Sequence, residues 1–121
     1  MLQHPFPFPH TKLDTYQVAL QMALAVRQLA DRVPRGYRSF GDHMLRAAGN
    51  TVLLIGEGAN RYHPGQKRQR YSEARGECGE VAAGAELLLT LGLAPEAEAR
   101  HIATLAGRVA AMLTRLMAKL G

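Results

Sequence analysis

The feature that most constrains the fold is a seven-residue apolar repeat in the second half of the chain. Six apolar or small side chains follow one another at spacings of three and four residues: Tyr71, Ala74, Cys78, Val81, Ala85 and Leu88. The same spacing recurs nearer the carboxyl end, in Ile102, Leu105, Val109, Met112 and Leu116. Such a repeat places apolar residues on one face of a long helix that packs almost parallel to its neighbours. It therefore predicts a helix bundle.

Two earlier segments show a one-sided apolar pattern at helical spacing. The first predicts a helix from about Thr11 to Arg32. The second predicts a helix from just after Ser39 to near Arg61, because Ser39 and Asp42 resemble a capping box. The first stripe comprises Val18, Met22, Val26, Leu29 and Val33, broadened by Leu13, Tyr16, Leu20 and Leu24, and the second comprises Met44, Ala47, Ala48, Val52 and Ile55. We therefore expect these side chains in a common core.

Proline and glycine mark the turns between the helices. VPRG at 33–36 ends the first helix, and HPG at 63–65 separates the second from the third. The third helix should run from about Gln66 to Leu91. Gly92 is expected to cap its end, and Pro95 to occupy the first turn of the fourth helix. Short connections between long helices favour an all-α, up-down antiparallel four-helix bundle.

The domain organisation follows from the length and from the prolines near the amino terminus. The 121 residues suit a single domain, which we place at 11–121. Alternating prolines predict that residues 1–10 form an extended arm. The arm carries Phe6 and Phe8, which either pack on their own bundle or contact a neighbouring subunit. There is one cysteine and no apolar run of roughly eighteen residues, so we expect a cytoplasmic protein without a membrane span.

The charge suggests an acidic partner. The formal net charge is +5 and the sequence pI is about 9.9, which is typical of proteins that bind nucleic acid. The charges are segregated: residues 27–75 hold ten basic and four acidic side chains, residues 76–100 one and five, and residues 101–121 three and none. This separation favours oriented association, either with a polyanion or with another copy of the chain.

Basic residues concentrate where the second and third helices are predicted to join. The segment RYHPGQKRQRY carries the candidate nucleic-acid-binding residues Arg61, Lys67, Arg68 and Arg70, interleaved with Tyr62, His63 and Tyr71. Arginines bind phosphates through paired hydrogen bonds, and aromatic rings can stack on bases. The opposite loop adds Arg35 and Arg38 as a second candidate set. The alternative is that this hairpin tip is only a solvated end of the bundle.

The same region holds glycines in predicted helices: Gly56, Gly58, Gly76, Gly79 and Gly84. A glycine inside an exposed helix costs roughly 1 kcal/mol relative to alanine. Close helix contacts can offset that cost, because a residue without a side chain lets two backbones approach. The sequence leaves open whether these contacts lie inside one bundle or between subunits.

The sequence gives little support for catalysis. The glycines do not form the phosphate-loop pattern GxxxxGK(S/T), and no strand precedes them. Glu73, Glu77 and Glu80 share one helix face, but no HxxE or ExxH motif accompanies them. Ion pairing of the glutamates with Arg46, Arg61 and Arg75 is the simpler explanation. Cys78 lies on the apolar stripe as an inert thiol, so we predict no enzymatic activity, no cofactor and no metal.

Two motifs carry a resemblance to a known family. RAAGNTVLLIGEGANR (46–61) followed by YSEARGECGE (71–80) resembles the four-helix-bundle proteins encoded within intervening sequences of bacterial 23S rRNA genes. These are similar to the accessory variability determinant proteins of diversity-generating retroelements. The matching positions are Arg46, Ala47, Ala48, Ile55, Glu57, Gly58, Arg61, Ala74, Arg75, Gly76 and Glu80. Asn50, Leu54 and Glu77 depart from the family pattern, which has Ser, Asn and Ser there.

The resemblance implies an assembly and a partner. Family members look like ring-shaped homopentamers, and the retroelement relatives work with a reverse transcriptase and its template RNA. It implies that Glu57, Arg61, Arg75 and Glu80 form structural ion pairs linking helices or subunits, with Arg46 as a further ion-pair or interface residue. Gly58 and Gly76 would be points of close approach. The resulting hypothesis is a non-enzymatic, oligomeric RNA- or DNA-binding bundle. The alternative is a protein-interaction scaffold with no nucleic-acid role.

Overall fold

The computed structural model describes residues 8–120, which form four long helices and two short 3-10 turns. The turns are Pro9–Lys12 and Arg35–Tyr37. The helices are α1 (Asp14–Ala30), α2 (Arg38–Asn60), α3 (Pro64–Thr90) and α4 (Glu96–Lys119). With 17 to 27 residues each, they are about 25–40 Å long at ~1.5 Å per residue. The described residues contain no strand, which confirms the all-α prediction.

Side-chain contacts show that successive helices run in opposite directions. α1 packs on α2 and α4, and α3 packs on α2 and α4, so each helix has two neighbours. Arg32, just after α1, is paired with Glu98 at the start of α4. Glu57 near the end of α2 lies 3.0 Å from Arg70 near the start of α3. Within the described residues, no helix is both long and apolar enough to cross a membrane.

The predicted apolar stripes meet in one core. All six residues of the α3 repeat are at most 4% exposed, and the main stripes of α1 and α2 are buried as well. Burial raises the pKa of the Cys78 thiol to about 11, consistent with an inert core group. Leu24, predicted to widen the α1 stripe, is instead 55% exposed. In α4 the predicted repeat is buried as far as Val109, but Leu113 is buried in place of Met112, which is half-buried, because a straight helix drifts away from a strict seven-residue repeat.

The helix starts differ from the predictions for local reasons. α1 begins at Asp14 because residues 9–12 form a 3-10 turn, so the end of the predicted extended arm is helical. The rest of that arm, including Phe6, lies outside the described residues. The Ser39 capping box is wrong: a 3-10 turn leads directly into α2, and Ser39 already lies inside that helix. Pro64 is the first residue of α3, where its missing N–H costs little.

The end of α3 is fixed by Gly92, as predicted. Gly92 has φ +71°, in the left-handed region that favours glycine. Its N–H donates to the Leu89 carbonyl at 3.0 Å, and the Leu93 N–H donates to the Leu88 carbonyl at 2.8 Å. These two bonds form a Schellman motif, which satisfies carbonyls that the helix itself leaves free. The chain is thereby turned toward α4.

Candidate nucleic-acid interface

The hairpin of α2 and α3 is packed closely both near its tip and toward its far end. A Cβ on Gly58 would lie 2.6 Å from Cε1 of Tyr71, whose side chain is buried. Gly84 is similarly close to Met44, with 2.9 Å between its would-be Cβ and the Met44 Sδ. These two glycines are therefore contact points inside one bundle. Gly76 differs, because, apart from its chain neighbours and the nearby backbone of its own helix, no atom of the described residues lies within 4 Å of a Cβ placed there.

Lys67 holds the end of α2 against α3. Its Nζ donates to the carbonyls of Gly58 at 3.2 Å and Ala59 at 2.9 Å. These carbonyls belong to the last turn of α2, where backbone acceptors have no partner within the helix. A positive charge at that position also complements the helix dipole. Lys67, predicted to bind nucleic acid, is thus engaged in joining two helices.

Glu57 pairs with two of the predicted tip arginines. Its Oε2 lies 3.0 Å from Nε of Arg70 and 3.9 Å from Nη2 of Arg61. Arg70 also contacts Glu73, with 2.8 Å between Nη1 and Oε1. The hydrogen bond from Arg70 is the main reason that the pKa of Glu73 is lowered. With two carboxylates around it, Arg70 has most of its charge compensated inside the hairpin, whereas Arg61 makes only the longer contact.

The other residues implied by the family motifs make contacts within α2 and between helices. Nε2 of His43 on α2 lies 3.2 Å from Oε2 of Glu80 on α3, and Arg46 lies 3.4 Å from the other ring nitrogen of His43. Arg75 donates from Nε to Oγ1 of Thr114 at 2.9 Å, which connects α3 with α4. Arg46 and Arg75 therefore make hydrogen-bond contacts rather than ion pairs with glutamate within residues 8–120.

Three of the four carboxylates on α3 have protein partners, and the exposed Glu86 has none within residues 8–120. Glu73 and Glu80 have the arginine and histidine partners described above. Glu77 accepts a hydrogen bond of 3.5 Å from Asn50, so two of the departures from the family pattern contact each other across α2 and α3. In the part of the chain that the structure describes, no three His, Cys, Asp or Glu side chains are grouped as a metal ion would require.

Arg68 differs from its neighbours at the tip because it has no partner. No hydrogen bond or ion pair joins its side chain to another residue in the range 8–120. The same is true of Arg35 and Arg38, which lie in and beside the 3-10 turn at the opposite end of the bundle. The six predicted binding residues therefore do not form one surface. Four lie at the tip of the hairpin and two at the far end.

Sequence reasoning missed three cations that lie at the same end as the hairpin tip. Lys12 precedes α1, and Arg115 and Lys119 are in the last turns of α4. They line a groove of about 330 Å³ together with Asp14 and Met112. None of the three side chains has a hydrogen-bond or ion-pair partner within residues 8–120. The net charge of residues 101–121, combined with the antiparallel topology, was the signal that would have located Arg115 and Lys119.

The antiparallel topology thus produces one basic end. We use that name for the end formed by residues 8–20, 54–73 and 110–120, which carry seven Lys or Arg and three Asp or Glu. The opposite end, residues 24–45 and 82–104, carries five of each sign. There Arg27, Arg32 and Arg100 are paired with Asp31, Glu98 and Glu96. Four cations without partners in the described range (Lys12, Arg68, Arg115 and Lys119) therefore lie at the basic end and two (Arg35 and Arg38) at the opposite end, so more of the cations that can neutralise phosphates are at the basic end.

Comparisons with known proteins agree with this architecture. The family model described as 23S rRNA-intervening sequence protein matches residues 11–115. A crystal structure of a protein with unknown function from the S23 ribosomal protein family of Bacteroides thetaiotaomicron VPI-5482 has a TM-score of 0.80 to this chain at 14% sequence identity. The match covers 85% of this chain and 97% of that one, and it shows a shared fold. No curated protein matches the sequence. Because the family model spans most of the chain, this protein belongs to the 23S rRNA-intervening sequence protein family.

Proposed function

We propose that this protein is a non-enzymatic nucleic-acid-binding bundle that contacts RNA phosphates through its basic end. The observation that carries the proposal is the convergence of four cations without protein partners: Lys12, Arg68, Arg115 and Lys119. Binding a phosphate is more favourable in free energy for an unpaired cation than for one whose charge is already compensated, because no ion pair has to be broken. The description of the family, which refers to 23S rRNA, favours RNA over DNA as the ligand class.

The other residues predicted to bind nucleic acid have different roles in this proposed function. Lys67 and Arg70 build the surface, since both are bonded within the hairpin. Arg61 can contribute directly, because its link to Glu57 is long and its side chain is 43% exposed. Arg35 and Arg38 would form a separate contact region at the other end. One bundle cannot bring both regions to the same phosphate group.

Binding measured at two salt concentrations tests this proposal. The wild-type protein should bind RNA at ~50 mM salt and lose most of its affinity at ~200 mM, because binding releases counterions. Arg68→Gln with Arg115→Gln should weaken binding and make the slope of log K against log salt shallower by about 1.4, at ~0.7 per lost contact with a single strand.

The matched control removes the same charge from the opposite end. Arg27→Gln with Arg100→Gln breaks two exposed ion pairs, which contribute little to stability. This variant should retain the wild-type salt slope. Equal loss of binding in both variants would show that only net charge matters and would contradict a defined basic end. Absence of RNA binding at ~50 mM by the folded wild-type protein would contradict the proposal as a whole.

We also propose that the chain self-associates, and the family resemblance makes a ring-shaped pentamer the expected form. Support comes from an apolar surface at the end opposite the basic end. Tyr37, Phe40, Leu87 and Leu91 are each 37–47% exposed there, and we call them the apolar patch. The rings of Tyr37 and Phe40 are 6.4 Å apart, and Phe40 and Leu87 line one groove of about 220 Å³. Clustered exposed apolar residues often mark protein contacts.

The apolar patch also supports a second candidate function, a protein-interaction scaffold without a nucleic-acid role. In that case the basic end is a solvated surface, and binding to RNA is absent at low salt.

A reverse transcriptase is the partner that the resemblance to retroelement proteins would imply. Co-purification with a reverse transcriptase encoded beside this gene would test that partner, and such an assembly would be expected in the cytoplasm.

A further inference from the structure

We infer that Tyr62 is a stacking platform for an unpaired base, so that the preferred ligand is single-stranded RNA rather than continuous duplex. This inference rests on the proposed function and goes beyond it, because phosphate contacts alone do not distinguish the two forms. It depends on the exposure of Tyr62, on its position among cations and on the polar groove beside it.

Tyr62 is exposed far beyond what the bundle requires. Its side chain is 88% exposed, more than that of any other large apolar residue between positions 8 and 120. It lies in the three-residue connection between α2 and α3, where no helix packs on it. Among the described residues, its one aromatic partner is His63, in an edge-to-face arrangement with centroids 5.2 Å apart and planes at 81°. One face of an aromatic ring at a loop tip is thereby left available to a ligand.

The surroundings of Tyr62 fit a nucleotide. Arg61 precedes it in the chain, and the partner-free Arg68 follows in the second turn of α3. Arg61 also lines a groove of about 270 Å³ together with Gln66 and Gln69. Gln69 donates to Glu73, whereas the Gln66 side chain has no hydrogen-bond partner in the described range. Arginine binds a phosphate, and a free amide both donates to and accepts from a base edge or a ribose hydroxyl.

Stacking on an aromatic side chain favours single-stranded RNA over duplex RNA. In a duplex each base face is covered by its neighbours, so a protein ring can stack only at an end. Unpaired bases in loops, bulges and single strands can turn outward onto an aromatic side chain. Replacing such an aromatic residue with alanine typically weakens binding by roughly 5- to 100-fold per base. The effect is independent of charge, so it can be separated from the phosphate contacts of the basic end.

Anisotropy with two labelled RNAs that contain the same total number of phosphates, a single strand and a duplex of half its length, tests the inference. Wild-type protein should prefer the single strand. Tyr62→Ala should lose about 5- to 100-fold affinity for the single strand, with little change for the duplex and an unchanged salt slope. Tyr62→Phe should restore single-strand binding, because the ring is retained. Leu24→Ala is the control: it removes an apolar side chain that is 55% exposed on α1, outside the apolar patch, and should bind like the wild type.

A spectroscopic readout reports stacking directly. The chain has no tryptophan, so Tyr62→Trp introduces a single indole fluorophore at the platform. The indole fluorescence of this variant should be quenched by the single strand more than by the duplex. If Tyr62→Ala binds both RNAs like the wild type and the Tyr62→Trp variant is not quenched, the inference is overturned while the proposed function stands. If the wild type binds neither RNA, the proposed function fails and the inference fails with it.

Discussion

Lys67 and Arg68 are adjacent in the sequence and carry the same charge, but their surroundings give them different roles. Lys67 donates to two carbonyls at the end of α2, whereas the Arg68 side chain has no partner among the described residues. A run of basic residues in a sequence does not separate these cases, because the two cations are consecutive residues of the same helix. The position of the α2 carbonyls decides which side chain is engaged in the fold.

Replacing each of these cations with methionine should separate folding from binding. Lys67→Met leaves two helix-end carbonyls without their charged donor and should lower the free energy of unfolding by about 1–2 kcal/mol. Arg68→Met should leave stability nearly unchanged and weaken RNA binding. Urea denaturation and RNA titration of both variants check this prediction. Equal stability of the two variants would show that the Lys67 contacts contribute nothing to the fold.

At the scale of elements, the sequence predicted α3 almost completely. Its apolar residues repeat at a spacing of seven, and the glycine at its end has a specific conformational role. The α4 register was less predictable, since Met112 and Leu113 are both apolar and only the drift of the helix determines which is buried. The start of α2 was mispredicted because the 3-10 turn at 35–37 has no distinctive sequence pattern. The basic end could not be read from the hairpin alone, because it combines segments from the beginning, middle and end of the chain.

The contact between α2 and α3 near the tip depends on Gly58. Gly58→Ala would place a Cβ 2.6 Å from the buried ring of Tyr71, and the ring cannot turn away without disturbing the core. We expect this variant to lose about 1–3 kcal/mol of stability through overpacking. Gly76→Ala is the control on the exposed part of α3, where a Cβ meets nothing within 4 Å. It should gain about 0.5–1 kcal/mol, as alanine does in an open helix.

Chemical denaturation at equal protein concentration measures both variants. A neutral effect of Gly58→Ala would mean that α2 and α3 can move apart at little cost, contrary to close packing at this point. Size-exclusion analysis of Gly76→Ala adds a second result. Loss of assembly in this variant would place Gly76 at a contact between subunits. The open surroundings of Gly76 in the single chain leave room for such a contact.

At the scale of the whole molecule, the two ends of the bundle differ in chemistry. The basic end carries a net charge of +4 and the opposite end a net charge of zero together with the apolar patch. The antiparallel arrangement keeps these surfaces apart by the length of the helices, about 25–40 Å. An assembly formed through the apolar patch would therefore present several basic ends at once. Several weak phosphate-binding surfaces acting together bind a long RNA more tightly than one does.

Leu87→Glu should separate assembly from RNA contact. A charge within the apolar patch makes it unfavourable to bury the patch against another chain. The mass measured by light scattering should therefore fall toward the 13.2 kDa of one chain. RNA affinity should drop at least ~10-fold through loss of avidity, while the salt slope per chain stays the same. Leu24→Glu, at a site 55% exposed on α1, is the control and should change neither property. If Leu87→Glu keeps its mass but loses RNA, the patch belongs to the RNA site. If it keeps both, self-association uses a different surface.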